Sequence, residues 1–144
     1  MDMLVERVLA SGLVCEWLVK QIQGPASTSE LDATESRLGV LLPGALKALL
    51  GRWNGVNLDV VRFIPCEQLR HEPEGVYFAN DPAGFMYFIQ PSGAIAQLDT
   101  DGGDTEVVAS DVEDFLSGFV FGPRAIDFAG PEWVRDLAQA GFAT

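Results

Sequence analysis

The sequence predicts an α+β fold in which a mostly antiparallel sheet has helices packed against it. The first observation is the helical spacing of apolar residues through the first 55 residues and again near the end of the chain. The second is a middle part, residues 60–109, built from short segments rich in β-branched and aromatic residues and separated by turn signals. Because short helices with one apolar face are not stable alone, we expect them to pack on the strands.

Before the strands, the sequence predicts one long amphipathic helix and then two shorter helices. Residues 2–22 have apolar residues at helical spacing, and Gly24-Pro25 ends this first helix. Ser27 and Glu30 have the spacing of a capping box, in which each side chain accepts a hydrogen bond from the other residue's backbone N–H. Gly39 then ends the helix that they begin.

The third predicted helix begins at Pro43, whose missing N–H costs nothing in the first turn. It carries a single apolar stripe and is closed by Asn54-Gly55. The stripe consists of Leu46, Leu49, Leu50 and Trp53. A stripe of this kind indicates a buried helix face, so this helix is expected to contribute to the core rather than to a site.

The middle part is predicted to hold five strands joined by turns. They lie at residues 60–64, 76–79, 85–90, 94–98 and 105–109. One helical turn at residues 66–70 and a polar loop at 71–75 separate the first two strands, and the turn at 80–84 joins the next two. Residues 85–90 have large apolar side chains on both faces, which indicates a central strand covered on both sides at least in part.

Two further helices are predicted after the strands. Ser110 is expected to cap the first, with Glu113 as its capping-box partner. The second lies near residues 131–140 and follows a linker at 122–130. The buried faces of the two helices are expected to be formed by Phe115, Leu116, Phe119, Trp133, Val134 and Leu137.

The chain has 144 residues, of which 48% are hydrophobic and 21% charged, as is typical of one folded globular domain. We therefore predict a single domain over residues 1–144. No apolar run approaches the roughly 20 residues that a membrane-spanning helix needs, and charged residues interrupt the apolar ones near the N-terminus, so neither a membrane span nor a signal peptide is predicted. The expected location is the cytoplasm, and the sequence leaves the oligomeric state open.

Acidic residues exceed basic ones by 12, and the excess is unevenly distributed. Residues 1–80 hold ten acids and seven bases, whereas residues 81–144 hold eleven acids and two bases, Arg124 and Arg135. A surface of this charge repels phosphate backbones, so direct binding of nucleic acid is not expected, and it attracts a basic protein partner. The alternative is that the acidity serves only solubility.

The segment with the highest density of oxygen ligands runs from Asp99 through Asp101 and Asp104 to Glu106. A calcium loop of the helix–loop–helix type needs Gly at its sixth position, a bidentate acid at its twelfth, and helices on both sides. Here the sixth position is Asp104, the twelfth is Ser110, and strands flank the segment. We therefore expect a solvated hairpin turn, with a weak metal site as the alternative, and no resident metal or cofactor.

No catalytic constellation is predicted from the residue types and their spacing. The single histidine, His71, lies five residues after Cys66 in a polar loop, where it is expected to be exposed, and no orienting group is predicted beside it. Cys15 and Cys66 are expected to be buried free thiols rather than a disulfide. The three tryptophans are expected to pack in the core or between helices; they are Trp17, Trp53 and Trp133. We therefore do not expect an enzyme.

The order of these motifs resembles the SUKH superfamily, which includes the yeast cell-wall synthesis regulator domain and many bacterial immunity proteins of toxin systems. The resemblance covers roughly residues 24–121 and also includes segments 63–69, 78–89 and 110–116 in the family's order. The residues that match its motifs are Glu35, Leu38, Gly39, Leu42, Pro43, Leu49, Leu50, Asn54, Gly55 and Gly84. We interpret these motif residues as structural. One departure is Phe85, which stands where the family often has a polar residue.

The resemblance implies a non-enzymatic protein that binds and neutralises a cognate toxin, often a nuclease or another basic effector. The acidic surface would then meet the basic partner, as charge complementarity favours. The residues expected to contact the partner lie on loops at one end of the sheet; they are Asp81, Asp99, Asp101, Asp104 and Glu106. The alternative function is a regulatory or scaffold domain that binds an endogenous protein, as in the eukaryotic members of the superfamily.

Overall fold

The computed structural model describes residues 2–142 and confirms the α+β fold. The sheet has the strand order β1-β2-β4-β5-β6-β7, and β3 pairs with β4 on the same edge as β2. All the pairings are antiparallel. The strands are β1 (Val56–Asn57), β2 (Arg62–Phe63), β3 (Arg70–Glu72), β4 (Gly75–Asn80), β5 (Phe85–Ile89), β6 (Ile95–Asp99) and β7 (Thr105–Ala109).

The predicted strands at residues 76–79, 85–90, 94–98 and 105–109 are confirmed as β4 to β7. The predicted strand at residues 60–64 is reduced to the two residues of β2. The polar loop predicted at residues 71–75 is wrong, because Arg70–Glu72 pairs with Gly75–Tyr77 in a tight hairpin. Strands of two or three residues are too short to show alternation in the sequence, which is why β1 and β3 were not predicted.

Helices precede and follow the strands. They are α1 (Asp2–Ala10), α2 (Glu16–Val19), α3 (Thr28–Leu38), α4 (Gly44–Leu50), α5 (Val112–Asp114), α6 (Ala125–Ala129) and α7 (Pro131–Gln139). A 3₁₀ turn at Cys66–Gln68 confirms the single helical turn predicted there. Helix α5 continues without a break into a π-helical segment, Phe115–Val120.

Helix α3 forms as its end signals predict, whereas α4 ends at Leu50 with Gly51 as its cap residue, so the predicted closure at Asn54-Gly55 is wrong and Trp53 lies outside the helix. At the start of α3, Glu30 N–H donates to Ser27 Oγ at 3.1 Å and Ser27 N–H donates to Glu30 Oε1 at 3.0 Å, which completes the capping box. Gly39 ends α3 in the left-handed region with φ 73°. Pro43 is the cap residue of α4, whose stripe residues Leu46, Leu49 and Leu50 are all buried.

The single helix predicted over residues 2–22 is wrong, because the chain turns between α1 and α2. Ser11 Oγ donates to Val8 O at 2.6 Å and accepts from Leu13 N–H at 3.2 Å, which replaces helical hydrogen bonds at the end of α1. Gly12 then takes φ 86°, a backbone conformation that other residues rarely adopt. Cys15 is exposed on the far side of this turn, so its predicted burial is also wrong, whereas Cys66 is buried and both thiols are free.

The predicted cap of the helix after β7 is displaced by one residue. Asp111, rather than Ser110, caps α5: its Oδ1 accepts from Asp114 N–H at 2.7 Å. The returning side chain is Asp114, rather than Glu113, and its Oδ2 accepts from Ser110 N–H at 3.0 Å. The linker predicted at residues 122–130 is wrong in part, because it contains α6.

The core lies between the helices and one face of the sheet. Phe115, in the π-helical segment, packs against strand residues Phe78 and Tyr87 with ring centroids 5.6 and 4.8 Å away. Trp133 of α7 is buried and its Nε1–H donates to Val120 O at 2.7 Å. Trp17, by contrast, is exposed, so its predicted packing role is wrong.

Candidate functional site

Two turns lie side by side at one end of the sheet. The first, Asp81–Gly84, joins β4 to β5, and the second, Thr100–Asp104, joins β6 to β7. Thr100 Oγ1–H donates to Gly84 O at 2.6 Å, and Phe85 pairs with Asp99 across the adjoining strands. The structure therefore brings four of the five acids predicted to contact a partner to one end of the sheet.

Among these acids, Asp81 accepts the largest number of hydrogen bonds through its side chain. Its Oδ1 accepts from the backbone N–H groups of Ala83 and Phe85 at 2.9 and 3.1 Å, and its Oδ2 accepts from Tyr87 O–H at 2.7 Å. Gln97 Nε2–H also donates to the Tyr87 oxygen, at 3.1 Å. Burial first, and then the hydrogen bond to Asp81, raise the pKa of Tyr87 well above its usual value. Asp81 therefore stabilises its own turn and holds the hydroxyl of the buried Tyr87 in place.

Asp99 shapes the second turn from within. Its Oδ1 accepts from Asp101 N–H at 3.0 Å, its carbonyl accepts from Gly103 N–H at 2.6 Å, and its own N–H donates to Asp104 O at 3.0 Å. A Cβ atom on Gly102 would lie 3.3 Å from the Asp99 carboxylate and 3.8 Å from that of Asp104, so two carboxylates flank this glycine. The turn is thus held in one shape by its own hydrogen bonds.

Asp101 and Asp104 are exposed, and in this turn it is their side chains that face solvent. Glu106 is exposed too, but it lies on β7 opposite Gln97, which puts it on the sheet face that carries the core and not in the turn. We call the turn Thr100–Asp104 the acidic turn. Among the described residues 2–142, no three His, Cys, Asp or Glu side chains are grouped so as to hold a metal ion.

The motif residues from the first half of the chain hold loops together. Glu35 Oε2 accepts from Leu42 N–H at 2.7 Å and lies 3.5 Å from Lys47 Nζ, so this carboxylate fixes the connection between α3 and α4. Asn54 Oδ1 accepts from Cys66 N–H at 2.8 Å. Gly55 has φ 92°, and a Cβ atom there would lie 2.9 Å from Pro65 N, so only glycine fits.

The remaining motif residues are placed in turns or in the core. Leu38 and Leu42 are buried on either side of the connection that Glu35 fixes. Gly84 has φ 95° and closes the turn that Asp81 organises, with its N–H donating to Asp81 O at 3.3 Å. Each of these motif residues therefore has a structural role, in a turn or in the core.

His71 and Cys66 make separate contacts. His71 lies on β3, is exposed, and has its Nδ1 3.2 Å from Leu38 O. The Cys66 thiol is buried, with Sγ 3.7 Å from Glu67 Oε2. The exposure predicted for His71 is confirmed, although the residue lies on a strand and not in a loop.

Sequence reasoning missed a groove of about 620 Å³ between the segment after α2 and strands β1 and β2. Five carboxamide residues contribute to its lining, together with Arg62 and Glu67. The five are Gln21, Gln23, Asn54, Asn57 and Gln68. These residues are far apart in the sequence, so no local pattern could have indicated the groove; only the Asn54-Gly55 pair marks one of its walls.

The fold and the candidate site define a class of protein: a small acidic α+β domain with one antiparallel sheet, a helix-covered face and an acidic turn at one end. A family model described as the SMI1 / KNR4 family (SUKH-1) matches residues 25–118, so the chain belongs to this family. The resemblance found in the motif order is thereby confirmed. Membership of the family is compatible with either an immunity role or a regulatory role.

No curated protein matches the chain. Among residues 2–142, the helices are all too short or too polar to cross a membrane.

Proposed function

We propose that this chain is a non-enzymatic immunity protein that neutralises a cognate basic toxin domain, such as a nuclease, by direct binding through the acidic turn. The observation that carries the proposal is the placement of Asp101 and Asp104. Both carboxylates are exposed at the end of a hairpin in the half of the chain that holds eleven acids against two bases. A basic surface that approaches this end therefore meets an excess of negative charge.

The shape of the acidic turn supports the proposal. The backbone and side chain of Asp99 make three hydrogen bonds within the turn, and Thr100 connects it to the neighbouring turn at Gly84. A surface that is already ordered loses little conformational entropy on binding. The charge would be presented in a fixed geometry, which favours a specific partner over general attraction to cations.

Electrostatic attraction of this kind acts mainly on the association rate. Opposite charges steer the two proteins together, and salt screens that steering because the Debye length is about 10 Å at 0.1 M. Replacing Asp101 and Asp104 with Asn should therefore slow association several-fold and flatten its dependence on salt. Dissociation should change less, because these side chains are exposed.

The test measures association and dissociation rates, across a salt series, between the purified chain and the toxin domain encoded beside its gene. The matched control is the double substitution Asp127→Asn and Asp136→Asn, which removes the same charge from exposed positions of α6 and α7. The proposal requires the turn variant to slow association more than the control variant does. Equal effects of the two variants would mean that net charge alone matters, and the absence of any binding would overturn the immunity role.

A further inference from the structure

The groove of about 620 Å³ described above lies beside β1, the first strand of the sheet. Its other wall is formed by residues 21–25, the segment that follows α2. Asn54 N–H donates to Gly24 O at 2.8 Å, so the two walls are joined at one end. Beyond this hydrogen bond the walls separate, with Ile22 on one wall and Val56 on the other. The groove is therefore a slot between a strand and a second stretch of chain.

The outer edge of β1 has a free backbone donor and a free backbone acceptor. Leu58 N–H donates to Val61 O at 2.9 Å, which places these two residues at a hydrogen-bonded position of the β1–β2 hairpin. Because bonded and non-bonded pairs alternate along an antiparallel ladder, the next pair, Asn57 and Arg62, is non-bonded, and the N–H and C=O of Asn57 point away from β2. Among residues 2–142, neither group has a hydrogen-bond partner. Asn57 lines the groove, so both groups are available to a ligand there.

At the other edges of the sheet, arginine side chains occupy backbone acceptors. Arg124 Nη2–H donates to Val108 O of β7 at 3.3 Å. Directly before β3, Arg37 donates to Leu69 O at 2.9 Å and to Cys66 O at 3.0 Å. Proteins protect sheet edges in such ways because an unprotected edge pairs with other extended chains. The edge of β1 has no cover of this kind among the described residues, and β1 itself carries no charged side chain.

The side chains around the slot match the chemistry of a polypeptide. Gln21, Gln23 and Gln68 line it and are exposed, and each carboxamide carries donors and an acceptor, as a peptide group does. Arg62 also lines the slot, is exposed, and belongs to none of the ion pairs formed within residues 2–142. Since Arg62 is paired with Asn57, the two side chains lie on the same face of the sheet. A carboxylate bound beside Asn57 on this face is therefore within reach of the Arg62 guanidinium.

The other face of the slot is apolar. Val56 is buried although its neighbour Asn57 is exposed, because successive residues of a strand point to opposite faces. Leu18 and Ile22 are half-buried and line the slot together with Val56. A chain paired with β1 would show the same alternation, so the residues on either side of one that faces Arg62 would point towards this apolar lining.

We propose that the slot binds an extended segment of a partner polypeptide, which pairs with β1 as an added strand. The segment carries an acidic residue beside Arg62 and an apolar residue on each side of that acid. Hydrogen bonds to the backbone of Asn57 supply affinity in this mode of recognition, and the flanking side-chain contacts supply specificity. The volume of about 620 Å³ lies within the range of known ligand sites, roughly 300–1,000 Å³.

The slot is separate from the acidic turn. Strands β1 and β7 are at opposite ends of the strand order, which puts them roughly 24 Å apart at the usual strand spacing. The acidic turn leads into β7, and the slot lies outside β1. The two sites also select opposite charges, because the slot presents Arg62 and the turn presents carboxylates. Binding in the slot is therefore a second activity, which does not depend on the toxin contact proposed above.

The first test uses the peptide acetyl-Thr-Val-Glu-Val-Thr-amide, titrated to about 1 mM into the full chain and followed by NMR. The backbone amide signal of Asn57 should shift, and its N–H should exchange more slowly with solvent because it gains an acceptor. Two methylated forms of the peptide test the pairing. Methylation of the amide nitrogens at alternate positions removes the donors from one edge of the peptide only. Whichever direction the peptide runs, one of the two forms should lose binding and the other should keep it.

The second test reverses the charge in the slot. Arg62→Glu should weaken the binding of this peptide at least about tenfold, and the variant should instead prefer the same peptide with Lys in place of Glu. A variant that had lost its fold would bind neither peptide, so the exchange of preference separates a local effect from unfolding. Arg70→Glu is the matched control, because Arg70 is also exposed and pairs with β4 on the same side as β2 but does not line the slot.

Three results would overturn the proposal. They are an Asn57 amide signal that stays unchanged at about 1 mM peptide, equal binding of the two methylated peptides, and equal effects of Arg62→Glu and Arg70→Glu. The first would mean that the slot does not bind extended chains, the second that no strand is added to β1, and the third that Arg62 does not select the acidic residue.

Discussion

Two acid-rich segments follow one another in the chain, and the structure uses them in opposite ways. In the acidic turn, the side chains of Asp101 and Asp104 face solvent. At the start of α5, ten residues further on, Asp111 caps the helix and Asp114 accepts from Ser110 N–H. Arg124 also donates to both oxygens of Asp114, at 3.2 and 2.9 Å. The carboxylates of the first segment face solvent, whereas Asp111 and Asp114 of the second accept hydrogen bonds within the fold.

The two segments differ because the chain after α5 turns back and brings Arg124 to Asp114. The helix after Asp114 widens into π-helical geometry, with Phe121 N–H donating to Leu116 O at 2.9 Å, and the chain then returns towards α5. Gly118 permits this return, because a Cβ atom there would lie 2.6 Å from Asp114 Oδ1 and 2.8 Å from the Arg124 guanidinium. The comparison teaches that acids become candidates for partner binding only when no neighbour in the fold already binds them.

The largest effect expected from a substitution concerns the core that carries both segments. Leu49→Ala should lower the free energy of unfolding by about 2–5 kcal/mol, because Leu49 is fully buried and its truncation leaves a cavity. Leu41→Ala is the matched control. This leucine is 84% exposed, so the substitution should change the free energy of unfolding by less than about 0.5 kcal/mol. Urea unfolding of both variants measures the difference, and equal losses would mean that α4 does not pack as described.

The Arg124–Asp114 contact should give the next largest effect. Arg124→Ala removes two hydrogen bonds to a carboxylate and one to Val108 O, and since both side chains are partly exposed we expect a loss of about 1 kcal/mol. Arg135→Ala removes the same kind of side chain from an exposed position on α7 and should change stability by less than about 0.5 kcal/mol. If the two variants unfold at the same urea concentration, the contact contributes nothing to stability.

The same contact predicts a dependence on pH. Hydrogen bonds from Arg124, followed by that from Ser110 N–H, hold the pKa of Asp114 below its usual value of 3.8. The unfolded chain therefore binds the proton more readily, so the stabilisation is complete above the unfolded pKa and is lost as the pH falls through the lower, folded value. In Arg124→Ala the loss of stability below about pH 5 should be smaller. Unfolding free energies from pH 7 to pH 2 for both chains would show parallel curves if the prediction is wrong.

Much of the fold could be predicted because its signals are local. The capping box at Ser27, the glycine at Gly39 and the apolar stripe of α4 each act within one or two turns of helix, and the strands around the turn at residues 80–84 are short apolar runs bounded by turn residues. The errors occur where tertiary contacts determine the local structure. The turn at Gly12 divides a sequence whose periodicity continues through it, and β3 forms because β4 offers it a partner.

The candidate site could be predicted only as a region. The order of the strands was sufficient to place the turns after β4 and β6 at one end of an antiparallel sheet. The sequence could not show which carboxylates bind groups within the fold. Asp81, for example, accepts a hydrogen bond from the hydroxyl of Tyr87 on the next strand. The placement of Arg62 and Arg70 on the same side of β4 was missed for the same reason: it depends on β2 and β3 both pairing with that strand.

The smallest effect on stability is expected from the acidic turn itself. Replacing both Asp101 and Asp104 with Asn should change the free energy of unfolding by less than about 0.5 kcal/mol, with any change towards greater stability at low salt, because exposed like charges repel one another. Asp81→Asn in the adjoining turn is the contrast. An amide nitrogen cannot accept the hydrogen bond that Tyr87 O–H donates, so this variant should lose about 1 kcal/mol. Urea unfolding at two salt concentrations measures all three chains. A loss in the Asp101 and Asp104 variant as large as that of Asp81→Asn would show that these carboxylates support the turn, and the surface proposed for the partner would then have to be sought elsewhere.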